Sequence, residues 1–93
     1  MPRTVRTVVE DITVSEIIDA EQSIYPRLDE AFEALKWWLA RVPESGEIID
    51  DVNWLYMQDG DDRANIPALV VVYTFNVYEL RMKHILVRVP RIH

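Results

Sequence analysis

Apolar and polar residues follow two different periods along this chain, and the switches between them divide it into elements. Over Arg3–Val9 (RTVRTVV) β-branched residues roughly alternate with polar ones, which predicts a strand. Thr13, with Glu16 three residues later, has the spacing of a capping box and predicts a helix start. Val14, Ile17, Ile18 and Ile24 continue at helical spacing, with Glu21 interrupting the stripe. Tyr25–Pro26 then predicts either a tight link between helices or a kink. The clearest helix follows. Leu28, Ala31, Phe32, Leu35, Trp38, Leu39 and Val42 form one broad apolar face, closed by Pro43 and a turn at Gly46.

The second half has the period of strands. One strand is predicted over Val52–Gln58, and QDGDDRANI (Gln58–Ile66) is a loop rich in turn formers. Ala68–Phe75 is a nearly unbroken apolar run, as in a central strand. After a turn near Asn76–Val77 a last strand is predicted over Tyr78–Val89. Its parity shifts midway. Leu80 and Met82 alternate with charged residues, but the later apolar set is Ile85, Val87 and Val89. One extra residue near Lys83–His84, a β-bulge, would bring all five to one face and leave Arg81, Leu86 and Arg88 on the other. The expected fold is α+β: a single domain over residues 1–93 in the order βααβββ. An N-terminal strand and a helical hairpin precede a three-stranded antiparallel meander, and the helices pack on one face of the sheet.

Charge refines this picture. The net charge is −6, but it is segregated: +2 over residues 1–9, −12 over 10–62 and +4 over 63–93. An acidic middle is consistent with a solvated helical face. The overall sign argues against broad nonspecific affinity for nucleic acid. The bases of the last third, Arg81, Lys83, His84, Arg88, Arg91 and His93, cluster as an anion-binding surface would need. There is no cysteine, which removes disulfides and thiolate ligands and is compatible with a reducing cytoplasm, the expected location. No apolar run nears the roughly 18 residues that span a bilayer, and no signal peptide is expected. A domain this small gains from self-association, so a homodimer is a candidate.

No strong catalytic motif is present. With only Gly46 and Gly60 there is no phosphate-cradling glycine loop, and His84 and His93 lack metal spacing, so no cofactor and no metal are expected. Asp59, Asp61 and Asp62 offer either a weak cation site or a solvated turn. His84 is either a proton-transfer group or a half-buried edge residue. Trp38 belongs to the core stripe, and Trp37 is at its margin, for packing or a partner contact. Tyr56 and Tyr73 lie on neighbouring strands, where bases could stack on them or where they fill the core.

These residues carry a resemblance. AFEALKWWLARVPESGE, followed by NWLYMQ, PALVVVYTF and VYELRMKHILVRV, resembles the RelE/ParE superfamily of bacterial toxins over about residues 28–89. The resemblance implies a toxin of a type II toxin–antitoxin module, with a small antitoxin as cognate partner. RelE-like members cleave mRNA on the ribosome, and ParE-like members inhibit DNA gyrase. Leu80, Arg81 and His84 match the family's last-strand motif, and Trp54 and Tyr73 match its aromatic positions. For an mRNA endoribonuclease this implies Arg81, Lys83 and His84 in catalysis, Arg81 and Arg88 on phosphate, and Tyr56 and Tyr73 for stacking. Ile85 and Val70 stand where the family has arginines, and no base follows Trp54 in its strand. These departures imply the alternative, a non-catalytic interaction protein such as a gyrase inhibitor or a binding protein of the same fold.

Overall fold

A computed structural model describes residues 5–89. Arg3, Thr4, Arg91 and His93 therefore lie outside the described residues. The elements are β1 (Thr7–Glu10), α1 (Ile12–Glu21), α2 (Leu28–Arg41), a 3₁₀ turn (Pro43–Ser45), β2 (Glu47–Ile48), β3 (Trp54–Gln58), β4 (Ala68–Phe75) and β5 (Glu79–Arg88). The class is α+β as expected, with both helices on one face of the sheet. Two details differ. The sheet has five strands in the order β1-β5-β4-β3-β2, because the short β2 adds itself to β3. It is also mixed, since β1 runs parallel to β5 while β2 to β5 form an antiparallel series. The helices carry the chain from β1 to β2 at the opposite edge, and three reversals through β3 and β4 bring β5 back beside β1 in the same direction.

The helix starts where the chain leaves β1, not at a capping box. Asp11 takes the N-cap position, and its carbonyl accepts from the Val14 and Ser15 amides. Thr13 is already inside the first turn, where its hydroxyl faces the Lys83 carbonyl oxygen at 3.4 Å. Tyr25–Pro26 is a tight link. The helix ends at Glu21, and the Glu21 carbonyl accepts from Ile24 and Tyr25, which leaves Ile24 exposed in the turn. In α2 the stripe buries Leu28, Ala31, Phe32, Leu35 and Leu39 against Leu69, Val71, Tyr73, Leu80, Met82 and Ile85. Trp38 leaves the stripe and is 40% exposed. It sits about 80° around the helix from Leu28, beyond the edge of the sheet contact.

Two further contacts tie the layers together. Lys36 of α2 reaches Glu10 at the end of β1 at 3.4 Å and Glu33 at 2.8 Å, and its ammonium lies 4.6 Å from the Phe32 ring centroid. Partial burial works against its charge, but the carboxylates outweigh it and raise its pKa. The fully buried Tyr73 of β4 donates its hydroxyl to the Pro43 carbonyl and accepts from the Gly46 amide at 3.2 Å. One side chain thereby latches the turn after α2 onto the middle of the sheet. Gly46 has no room for a side chain, because a Cβ there would lie 2.5 Å from the Tyr73 hydroxyl and 2.6 Å from the Leu55 carbonyl. Among the described residues no helix is long and apolar enough to cross a membrane.

The latch generates two tests. Tyr73→Phe removes the hydroxyl and should cost about 1–3 kcal/mol in urea unfolding, since Pro43 and Gly46 lose a buried partner. Gly46→Ala should cost at least as much, by steric overlap. Burial, against the opposing Gly46 amide, pushes the Tyr73 hydroxyl up to about 12. Below the ordinary tyrosine pKa of about 10 the folded and unfolded chains are both neutral, and stability is intact. Above it the unfolded chain loses its proton while the folded chain keeps it, so stability should fall as pH rises from about 10 to about 12. The alkaline fall should be shallower in Tyr73→Phe, read by circular dichroism against pH.

Candidate binding face

β5 supplies the basic residues, and its register decides where they point. Opposite β4, Val72 pairs with His84 while Tyr73 pairs with Met82, so Lys83 is the extra, unpaired residue. The bulge expected from the sequence lies at that position. Leu80, Met82 and Ile85 are fully buried on the helix face, and Val87 packs at its margin. Val89 departs from the expectation: the strand ends at Arg88, and Val89 is 71% exposed. Arg81, Lys83, His84, Leu86 and Arg88 are all exposed on the opposite face of the sheet. None of the described elements packs on that face.

The strip is not a set of free cations. Arg81 donates to Asp11 at 3.0 Å and lies 3.5 Å from Glu79. Lys83 reaches over β4 and donates to the Asn53 side chain at 2.9 Å. Asn53 in turn donates to Asp50 at 2.7 Å. That bond and the Val52 and Asn53 amides hold the Asp50 carboxyl below its usual range, with a smaller contribution from Lys83. His84 and Arg88 have no hydrogen-bond or ion-pair partner among the described residues. Arg88 borders a cavity of ≈430 Å³ whose far side is the Asp59–Asp62 loop. In that loop the Asp61 carboxylate accepts from the Arg63 and Ala64 amides, and Asn65 takes a left-handed φ of 57°. The loop is a turn closed by its own backbone, bridged at Asp61 and Ile66.

The structure separates the proposed catalytic and stacking groups. Arg81 pairs with Thr74 and Arg88 with Ala68, which puts the two arginines roughly 20 Å apart along the strand. Tyr73 is 0% exposed in the core, so it offers no ring face to a base. Tyr56 is half-buried beside it on the helix face. Strand alternation thus sets both tyrosines on the side opposite the bases. Asp11, Asn53 and Asp50 were missed as partners of the strip. No local signal marks them, because Asp11 is 70 residues from Arg81 and Asn53 is 30 from Lys83.

Fold and face together define a two-layer α+β domain with one bare sheet face, carrying a row of bases on its second strand. Comparison with family models, with curated proteins and with solved structures gives no match.

The bulge has a direct test. Without Lys83, β5 alternates regularly, with His84 outward and Ile85 inward, so deleting Lys83 should leave a folded chain less stable by about 1 kcal/mol. Deleting Ile85 instead shifts Leu86 onto the core side and removes a fully buried residue. That chain should fail to unfold cooperatively in urea.

Proposed function

We propose that this chain is a divergent RelE/ParE-like toxin-fold protein, one component of a cytoplasmic type II toxin–antitoxin module, and that it acts by binding through the β5 face. The matches at Leu80, Arg81 and His84 and the order of helices and strands support the family reading. One observation favours binding over cleavage. The bases are strung along a strand, two of them already held by the chain's own side chains, and the tyrosines face away. Cleavage by an attacking 2′-hydroxyl needs a base, an acid and cations converging on one phosphate. A linear strip instead suits an extended or helical partner of complementary charge, such as a small antitoxin.

The test uses the neighbouring small reading frame, if it encodes an antitoxin-like protein, co-expressed with this chain. Co-purification is expected, and transcript ends should not change on induction. The double variant Arg81→Glu/Arg88→Glu should lose the complex by at least tenfold in affinity, about 1.4 kcal/mol. It should stay folded, because Arg81 and Asp11 form a solvent-exposed pair, worth about 0–1 kcal/mol. New transcript ends on induction would instead establish the endoribonuclease reading, with Lys83 and His84 at the bulge as its proton-transfer groups. Ribosomes or DNA gyrase recovered with the chain would name the target. No complex and no effect on growth would overturn membership of such a module.

A further inference from the structure

The bare face is unusual in composition. An antiparallel sheet with one solvated side is ordinarily polar on that side. Here β4 presents Ala68, Val70, Val72 and Thr74 outward, so its apolar run has the character of a strand buried on both faces. Leu55 and Met57 flank it on β3 and Leu86 on β5, with Met57 58% and Leu86 50% exposed. Charge is divided across this apolar band. One side carries Lys83, His84 and Arg88 together with Arg81, which is paired there with Asp11 and Glu79, so its net excess of positive charge comes from the first three. The other carries Glu47, which pairs with Leu55 and so shares its face, and the exposed Asp50 and Asp59.

We propose that the bare face is covered by a second copy of this chain, related by a two-fold axis running along β4. That operation lays β5 of each copy over β3 of the other. Met82 is level with Trp54, and Val87 with Gln58, through their shared partners Tyr73 and Leu69. Lys83 and His84 therefore come over the partner's edge near Glu47 and Asp50, while Arg88 comes over the Asp59 end of the partner's β3. The β4 residues Val70 and Val72 meet their own counterparts at the centre. An axis across the strands would set bases over bases instead. An acidic foreign partner confined to β5 would leave the apolar band uncovered, and one wide enough to cover it would meet Glu47, Asp50 and Asp59 as like charges, whereas a second copy offers bases to those acids.

The size is adequate. Five strands about 4.8 Å apart and an eight-residue β4 give roughly 19 by 27 Å, or about 500 Å² in projection. Side-chain relief brings this towards the roughly 800 Å² of accessible surface that one partner contributes to a standard interface. Two such faces would stack about 10 Å apart, as aligned sheets in a sandwich do. The stem of Lys83, already drawn over β4 towards Asn53, would lie along the apolar band. In the dimer the β5 strip is masked, so the partner proposed above would compete with self-association.

Sedimentation of the full chain alone, from micromolar to millimolar, tests this without any antitoxin. A monomer–dimer equilibrium is expected, weakening as salt screens the rim charges. Val72→Lys and Leu86→Lys should each weaken the dimer by at least about thirtyfold, with unchanged circular dichroism. Arg88→Glu, at the exposed end of β5, should weaken it as well. A monomer across the whole range would overturn the proposal. So would a dimer indifferent to Val72→Lys and Leu86→Lys, and an undiminished dimer in Arg88→Glu would exclude the arrangement.

Discussion

One unpaired residue governs what this domain can present. Lys83 has no opposite number on β4, and that single offset turns the second half of β5 over. Without it, Leu80 and Met82 could not share a face with Ile85. The helices would then meet His84, and Ile85 would lie in water. With it, the strand completes the core and still sends Arg81, Lys83, His84 and Arg88 outward together. The cost of one missing ladder bond is small beside the burial of Ile85, worth roughly 1.5–3 kcal/mol when complete, and the partial burial of Val87. The basic strip is therefore a by-product of core packing as much as a functional feature. Its existence alone does not argue for chemistry.

The same alternation explains why the two tyrosines and the basic strip lie on opposite faces of the sheet. Tyr73 is drawn inward by its parity and fixed there by Pro43 and Gly46. Its ring fills the core, and its hydroxyl satisfies two backbone groups at the end of α2. A residue so engaged cannot also offer a surface for stacking. Arg81 and Lys83 are occupied in a weaker sense, since their pairs with Asp11 and Asn53 are exposed and exchange readily for a charged partner.

Period and parity made much of this legible in the sequence. The α2 stripe, the continuous β4 run and the parity change of β5 each rest on several residues that agree, so helix, central strand and bulge were all readable. The failures lie where a signal rests on one or two residues. β2 is two residues long, too short to show alternation, yet it makes the sheet five-stranded. Thr13 and Glu16 have capping spacing, but Asp11 sits where the chain turns out of β1, and that turn decides the cap. Trp38 satisfies the stripe on a helical wheel, but a wheel does not show how wide the opposing sheet is. The partners of Arg81 and Lys83 are set by strand order, which no local pattern encodes.

The composition of β4 carries one more step. The outward face of Ala68, Val70, Val72 and Thr74 is only partly covered in the monomer, and three of its four residues are apolar. Solubility alone would favour polar residues there, and a strand flanked on both sides tolerates them well. Apolar residues at these positions therefore support the covered state proposed above. The division of charge across the band narrows the choice, because it fits a partner basic on one side and acidic on the other. The chain itself is such a partner. A foreign protein that displaced it would have to reproduce the same pattern, so the basic strip and the acidic rim act together to select what may bind.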